Sequence, residues 1–474
     1  MKRFFAAAIT VVMLLLTVFS FVGCGGNTSK VPTALSIPEG GYDGSEVTIT
    51  FSHTMGANLR AVLDNYIPEF NKLYPNITIV HSQDGGYDDL KNQISTKITV
   101  GDQPNIAYCY PDHVALYNLA GAVVTLDDLI ASEIVEERAD GTTEILGLTE
   151  EQIDNFVDGY YEEGRQFGDG KMYTLPLSKS TEVLYYNKTF FDANGLSVPT
   201  TWDELEEVCK AIKAIDPQSI PLGYDSEANW FITMCEQLDS PYTSAEAGNH
   251  FLFDNDTNKE FVKEFREWYV QGLVTTQELL GAYTSTLFTT LDGTKSYMSI
   301  GSSAGATHQR PGKVNGAYPF EVGIAPIPQA DASNPKAISQ GPSLCIFNSE
   351  NVQEVMASWL FVKFLTTCED FQAEFSVASG YVPVLESVAE NPGYKEDFLD
   401  LADGYENIAA LSAKVCVEQM DAYYVSPAFN GSSTARDQVG LILQYAFKIP
   451  SGSDVEAQIN KIFADAMNEC KYSQ

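Results

Sequence analysis

Residues 175–205 read LPLSKSTEVLYYNKTFFDANGLSVPTTWDEL. The segment from Thr174 to Asn187 is apolar and extended around a small polar cluster, Ser178–Thr181. Farther on, Thr201 and Glu204 have the spacing of a capping box, which opens a helix by satisfying its first free N–H groups. Leu205, Val208, Cys209 and Ile212 then repeat at the spacing of one buried helical face. An extended segment followed by an amphipathic helix is the unit from which α/β folds are built.

The same rhythm runs upstream. Val47–Phe51 is β-branched and predicts a strand. Leu59, Val62, Leu63, Tyr66, Ile67, Phe70 and Leu73 form a helical stripe that Pro68 should kink and Pro75 should stop. Ile77–Val80 predicts a second strand, Asp88–Val100 a second helix and Ile106–Tyr110 a third strand. Strands alternating with helices at this interval indicate a mainly parallel sheet, whose ligands gather at loops beyond the strand C-termini. Those loops hold His53, Gly85-Gly86-Tyr87 and Pro111-Asp112-His113. The acidic stretch from Ser132 to Asp154 reads as a surface excursion, and helices are expected at Val352–Leu365 and Val455–Met467. No internal repeat is visible.

With 474 residues the chain can bury two or three domains' worth of core. Its 28 Lys and Arg against 64 Asp and Glu leave a net charge of −36. That field repels nucleic acid and anionic membrane surfaces, so nucleic-acid binding is excluded as a function class. The N-terminus has a charged start, Met1-Lys2-Arg3, then an apolar run from Phe4 to Phe19, and Phe21-Val22-Gly23-Cys24 at the position of a cleavage site. Gly23-Cys24 resembles a bacterial lipobox, which implies a signal peptide over 1–23 and lipidation (palmitate) of Cys24 as the mature N-terminus; the alternative is an uncleaved signal anchor. Residues 24–45, rich in Gly, Pro, Ser and Thr, read as a flexible tether. The expected location is the extracellular face of the cytoplasmic membrane, with membrane contact only through the lipid. Seven further cysteines, widely spaced and in apolar surroundings, read as buried free thiols.

Several stretches together resemble the carbohydrate-binding family of extracellular solute-binding proteins of ABC importers. They are the segment 175–205 itself, GDQPNIAYCY at 101–110, YMSIGSSAG at 297–305, VGIAPIPQA at 322–330 and ASGYVPV at 378–384. The resemblance covers about residues 46–470. It implies an α/β, two-lobed periplasmic-binding-protein fold of type II, with mainly parallel or mixed sheets flanked by helices and a hinged cleft between lobes. The expected division places 46–179 and 299–340 in the N-terminal lobe and 180–298 and 341–474 in the C-terminal lobe. The implied partners are a sugar or glycerophosphate-like small molecule and the transmembrane subunits of a permease. A monomer without cofactor or metal is implied. Within the family, FSHTM at 51–55 and GGYDDL at 85–90 resemble the glycerol-3-phosphate and glycerophosphodiester binders. On that likeness the ligand-binding candidates are His53, Tyr87, Asp88, Asp112, Ser180, Trp230, Ser302, Ser303, Gly341, Tyr381 and Arg436. For Trp230 and Tyr381 the alternative is a core position. For Tyr87, Asp88 and Asp112 it is a solvated loop, and for Arg436 a neighbouring carboxylate in place of an anionic ligand.

One motif points elsewhere. Gly301-Ser302-Ser303-Ala304-Gly305 fits the G-x-S-x-G nucleophile elbow, which would make the chain a surface-anchored ester- or glycan-cleaving enzyme. That fold needs an acid and then a His downstream, and His308, five residues on, is the only His after Ser303. A ligand-binding loop, or a tight crossing that needs small residues, fits better. Asp254, Asp256 and Asn258 begin like a calcium loop, but Lys259 and Phe265 stand where that loop needs Gly and Glu. The five His residues show no zinc spacing.

Overall fold

The computed structural model describes residues 35–246, 248–394 and 407–472. Cys24 and the signal segment lie outside the described residues. The first sheet comprises β1 (Val47–His53), β2 (Ile77–Gln83), β3 (Ile106–Cys109), β4 (Leu175–Pro176) and a late strand, Ser343–Ile346, in the order β2-β1-β3-(343–346)-β4. The first three strands are parallel, joined through helices α1 (Ala57–Leu73) and α2 (Tyr87–Ile98); Ser343–Ile346 runs antiparallel beside β3. Helix α1 continues through Pro68, and its stripe of Leu59, Val62, Leu63, Tyr66 and Phe70 is buried as the periodicity requires. Helix α3 (Pro111–Tyr117) follows β3 directly, with Pro111 at its first turn, where a missing N–H costs nothing. The acidic excursion carries a small hairpin, Val135–Glu137 with Thr143–Ile145.

The second sheet is built from β5 (Glu182–Asn187), β6 (Leu222–Tyr224), β7 (Val274–Thr276), β8 (Met298–Ser302) and β9 (Val322–Pro326), in the order β9-β5-β8-β6-β7. It is mixed: β5 is antiparallel to β8 and β9, while β8, β6 and β7 are parallel. Helix α4 (Trp202–Ile215) opens on the capping box, with Thr201 Oγ1 accepting from the Glu204 N–H. Helices α5 (Glu227–Gln237) and α6 (Asp256–Val270) pack on this sheet. The crossing strand β10 (Ala337–Ile338) leads back to the first sheet, where the late strand is β11 (Ser343–Ile346). Helices α7 (Val352–Thr367) and α8 (Glu369–Val377) cover that sheet, and α9 (Ile408–Glu418) bridges the two cores. A second crossing strand, β12 (Tyr423–Tyr424), pairs with β10 and returns the chain to the second lobe, which α10 (Ser432–Phe447) and α11 (Val455–Tyr472) complete.

The two-lobed α/β architecture is as expected, but the division of the later chain is reversed. The segment 299–340 was expected in the N-terminal lobe. Strands β8 and β9 instead pair with β5, inside the second sheet. The segment 341–474 was expected wholly in the C-terminal lobe, yet β11 pairs with β3 and β4 of the first sheet. Among the described residues, those from Leu344 to Tyr394 and from Ala409 to Cys416 contribute to the first core, and the chain beyond β12 rejoins the second. The return crossing therefore comes after β9 rather than at Ser302. Strands β8 and β11 are both enclosed, so their composition does not say which sheet takes them.

Three segments link the lobes near one point: 177–181, 327–342 and 419–431. Ser180 and Gln340 exchange both backbone hydrogen bonds there, at 2.9 and 2.8 Å. Gly341 adopts φ +105°, and a Cβ on it would stand 2.3 Å from the Ser178 carbonyl oxygen. Gly341→Ala is expected to lower the folding free energy by ~2–3 kcal/mol through strain and steric clash, read from denaturant unfolding; a loss below ~0.5 kcal/mol would show that the crossing does not need glycine.

Candidate functional site

Between the lobes, against the crossings, lies a narrow cleft whose water-accessible volume is about 60 Å³. Tyr110, Pro111 and Asp112 enter from the C-terminal end of β3, and Glu163 from the same lobe. Ile232, Tyr242, Ser432 and Arg436 face them from the second lobe, and Ser339, Gln340, Val425 and Ser426 line the back along the crossings. Four of these side chains hold buried polar atoms with no protein partner: Asp112 Oδ2, Ser339 Oγ, Gln340 Nε2 and Ser426 Oγ. Unpaired buried polar atoms are costly. A carboxylate acceptor, two hydroxyls and an amide donor facing one space suit a ligand rich in hydroxyl groups.

Arg436 projects from α10, and its guanidinium donates to Asn229 Oδ1. Burial opposes its charge, but Asp112, Tyr242, Tyr110 and Glu182 outweigh that penalty and raise its pKa. Asn229 is held in turn: its Nδ2 donates to Glu182 Oε1 at 2.9 Å, while Tyr224 Oη donates to Glu182 Oε2 at 2.5 Å. Burial pushes the Glu182 carboxyl up to about 7 even though Tyr224, Asn229 and Arg436 pull it down; Asp225 adds to the rise. Glu182, Asn229, Arg436 and Asp112 thus form a chain of polar groups from β5 to the opposite lobe.

Of the expected ligand residues, Asp112 and Arg436 meet in this cleft. Tyr87 stacks on Tyr110 with ring centroids 4.3 Å apart, and Tyr381 lies close enough to push both phenols up in pKa, after burial as the main cause. Ser180 and Ser302 sit at the crossing, their Oγ atoms 3.4 Å apart. Asp88 has a side chain 82% exposed and pairs with Lys91 of its own helix at 3.2 Å.

Four of the expected residues lie outside the lining of this cleft. Trp230 is fully buried in the second core, stacked on Tyr224 at 4.7 Å and against Phe265 at 4.2 Å, so both ring faces are taken. His53 is buried in β1, with Nε2 2.9 Å from His81 Nδ1 and Nδ1 accepting the Met55 N–H at 3.2 Å. Burial is the main reason its pKa falls to about 4, so it stays neutral and engaged. Ser303 is buried, its Oγ accepting the Thr181 N–H at 3.3 Å, with Cys416 as its other side-chain contact. Gly341 shapes the crossing through its backbone.

The reading missed Tyr110, Glu163, Tyr242, Gln340 and Ser426. Tyr110 adjoins the flagged Pro111-Asp112 loop and Gln340 adjoins Gly341, so position alone could have suggested them. Tyr242 and Ser426 stand in loops without a motif. Asp254 is paired with Lys259 at 2.7 Å and Asn255 caps α6, which accounts for the calcium-like stretch. Among the described residues no three or more His, Cys, Asp or Glu side chains gather to hold a metal, and no helix is long and apolar enough to cross a membrane.

Residues 65–399 match the family described as bacterial extracellular solute-binding protein, and the chain belongs to that family. It is 24% identical to a maltotriose-binding protein of Pyrococcus abyssi over 359 residues, 73% of this chain and 68% of the relative. It is also 24% identical to the sn-glycerol-3-phosphate-binding periplasmic protein UgpB of Escherichia coli K12 over 356 residues, 72% of this chain and 75% of the relative. Among solved structures, UgpB from Mycobacterium tuberculosis in complex with glycerophosphocholine superposes with a TM-score of 0.70 at 18% identity, covering 90% of this chain and 99% of that one. The maltose/maltodextrin-binding domain MalE from Bdellovibrio bacteriovorus bound to maltotriose gives 0.66 at 18% identity, covering 90% and 100%. These likenesses bear on fold. Family membership makes the chain a binder of solutes rather than an enzyme, and the hydrolase alternative has no support.

Because Glu182 has a folded-state pKa of about 7 against an ordinary 4.5, its contribution to stability is fully present below pH 4.5 and is lost as pH rises through about 7. The shift corresponds to about 3 kcal/mol. Glu182→Gln removes this dependence, so wild type minus variant in Tm should fall steadily from pH 4.5 to 8; a flat difference would mean that Glu182 titrates normally.

Proposed function

We propose that the chain is the substrate-binding lipoprotein of an ABC importer, held by lipid on Cys24 outside the cytoplasmic membrane. It captures a sugar or glycerophosphate-like solute by lobe closure and presents it to the transmembrane permease. The observation that carries this reading is the set of unpartnered polar atoms on Asp112, Ser339, Gln340 and Ser426, drawn from the first lobe and both later crossings to face one cleft. A solute contacted from several segments is recognised only when the lobes are together, which makes closure the source of specificity. Asp112, Arg436, Tyr87, Tyr381, Ser180 and Ser302 are the contact residues of this proposal, with Tyr110 as an aromatic platform for an apolar sugar face. The relatives bracket two solute classes. Arg436 already donates to Asn229 and lies in the favourable field of the Asp112 carboxylate, and that favours an uncharged hydroxylated solute over a phosphate.

A thermal-shift panel of maltose, maltotriose, glycerol 3-phosphate and glycerophosphocholine tests the reading. A neutral sugar is expected to raise Tm by several degrees at saturating concentration, with Asp112→Asn weakening it about tenfold or more. A response to the phosphate compounds alone, lost in Arg436→Gln, would move the assignment to glycerophosphates. No response across a broad sugar and phosphodiester panel overturns the proposal. Cys24→Ser should release the protein from the cell surface into the medium.

A further inference from the structure

Helix α10 presents its first turns to both the cleft and the opposite lobe. Ser432 and Arg436 line the cleft. Their next neighbours, Ser433 and Asp437, meet Lys91 of helix α2, which belongs to the first lobe. Lys91 Nζ lies 3.3 Å from Ser433 Oγ and 3.3 Å from each carboxylate oxygen of Asp437. Its remaining partner is Asp88, one turn back on its own helix. The Lys91 side chain is only 7% exposed, whereas Asp437 is 52% exposed. The ion pair therefore encloses the cation at a seam whose rim still touches water.

The charges at this seam are reciprocal. Arg436 of the second lobe has Asp112 of the first as its main favourable electrostatic partner. Lys91 of the first lobe has Asp437 of the second. Two consecutive residues of one helix thus carry opposite charges, each matched by the opposite charge on the other lobe. Arg436 and Asp112 both line the cleft, where a solute can come between them. The Lys91 pair lies outside the cleft lining, so a solute neither supplies nor displaces it. When the lobes part, Lys91 loses Asp437 and Ser433 and keeps the exposed Asp88 as its ion-pair partner, with the Asp112 carboxylate of its own lobe as a further favourable charge and water making up part of the loss.

We propose that Lys91, Ser433 and Asp437 form a ligand-independent latch that sets how much of the protein is closed before a solute arrives. The inference rests on the reading that the lobes open and close about this cleft. Apparent affinity equals intrinsic affinity multiplied by the closed fraction. Weakening the latch therefore weakens binding of every solute by one common factor. A contact residue such as Asp112 discriminates between solutes instead. Salt acts in the same direction as a latch mutation, because the seam is partly exposed.

The test uses the full chain and the variants Lys91→Met, Asp437→Asn and their double mutant. Small-angle scattering without ligand reads the closed fraction, and calorimetry with maltotriose and with glycerol 3-phosphate reads affinity. Expected results are a larger radius of gyration in each single variant and a Kd raised about 5- to 150-fold, the common range for coupled equilibria, by the same factor for each probe that binds. The double mutant should match the singles rather than add them. An unchanged radius of gyration, additive single effects, or a factor that differs between probes would overturn the latch. If Lys91→Met fails to fold, Asp437→Asn alone decides by the same two readouts. If neither probe binds wild type, the ligand-free scattering still decides: expansion in the variants upholds the latch while the solute assignment fails, and no expansion removes the latch.

Discussion

Lys179 is buried completely, and its ammonium lies 2.6 Å from Glu163 Oε2, itself 3% exposed. A charge in that position is tolerated only with a partner and further hydrogen bonds; removing either side would leave the other uncompensated at a cost of ~3–5 kcal/mol. Lys179 stands on the first crossing, between β4 and β5. Its Nζ also reaches Ser343 Oγ at 3.5 Å, on the first residue of β11 after the second crossing. The backbone of the same crossing is fixed by the exchanged hydrogen bonds of Ser180 and Gln340 and by the close approach of Gly341 to Ser178. One buried cation thus sets two interlobe segments in register, and Glu163, which holds it, is also a wall of the cleft. The geometry of the site is tied to the geometry of the joint.

Charge is used sparingly in the same region. The chain carries 28 basic residues against 64 acidic ones, so most carboxylates cannot find a cation and must face water. Three cations that are withdrawn from solvent sit where the lobes meet: Lys179 in the joint, Arg436 in the cleft and Lys91 in the seam. Their partners differ in what can replace them. The Lys179 partners are enclosed and fixed, those of Arg436 adjoin a space that admits solute, and two of those of Lys91, Ser433 and Asp437, are available only while the lobes touch. A permanent pair in the joint, with conditional partners in the cleft and the seam, is what a jaw with a rigid joint and a mobile rim requires.

How much of this was legible in sequence varies with the kind of information involved. The β-α-β start was readable because α1 buries one stripe and exposes the rest, so its period survives in the residue order. The capping box at Thr201 and Glu204 was readable because it is local. The lobe assignment of β8 and β11 was not. Both are enclosed strands, and in a strand covered on both faces the residue order does not say which sheet takes it. Trp230 misled for a related reason: six consecutive residues around it, Asn229 to Met234, are all buried, so no helical period marks which side chain faces a core and which a cleft. Asp112, read from the loop after β3, and Arg436, taken from the family likeness, are distant in sequence and both line the cleft. Tyr242 and Ser426 were not found, since only tertiary packing brings those loops to the cleft.

The serine motif shows how packing can imitate chemistry. A Cβ on Gly301 would stand 2.7 Å from Asp225 Oδ2. A Cβ on Gly380, in the loop from the first lobe, would stand 1.9 Å from the Ser303 carbonyl oxygen. Ser412 of the bridging helix α9 donates to that same carbonyl at 2.9 Å. The end of β8 is therefore pressed by its own lobe on one side and by the first lobe and α9 on the other. Only small side chains fit between, and a buried hydroxyl there must find a local partner, as Ser303 does with the Thr181 N–H. A nucleophile elbow needs small residues so that a serine can be exposed on a tight turn; this junction needs them so that two lobes can approach. The residue pattern is the same, and the difference lies in what the serine oxygen faces. Here it faces the backbone of the crossing, so the motif belongs to the joint on which closure depends.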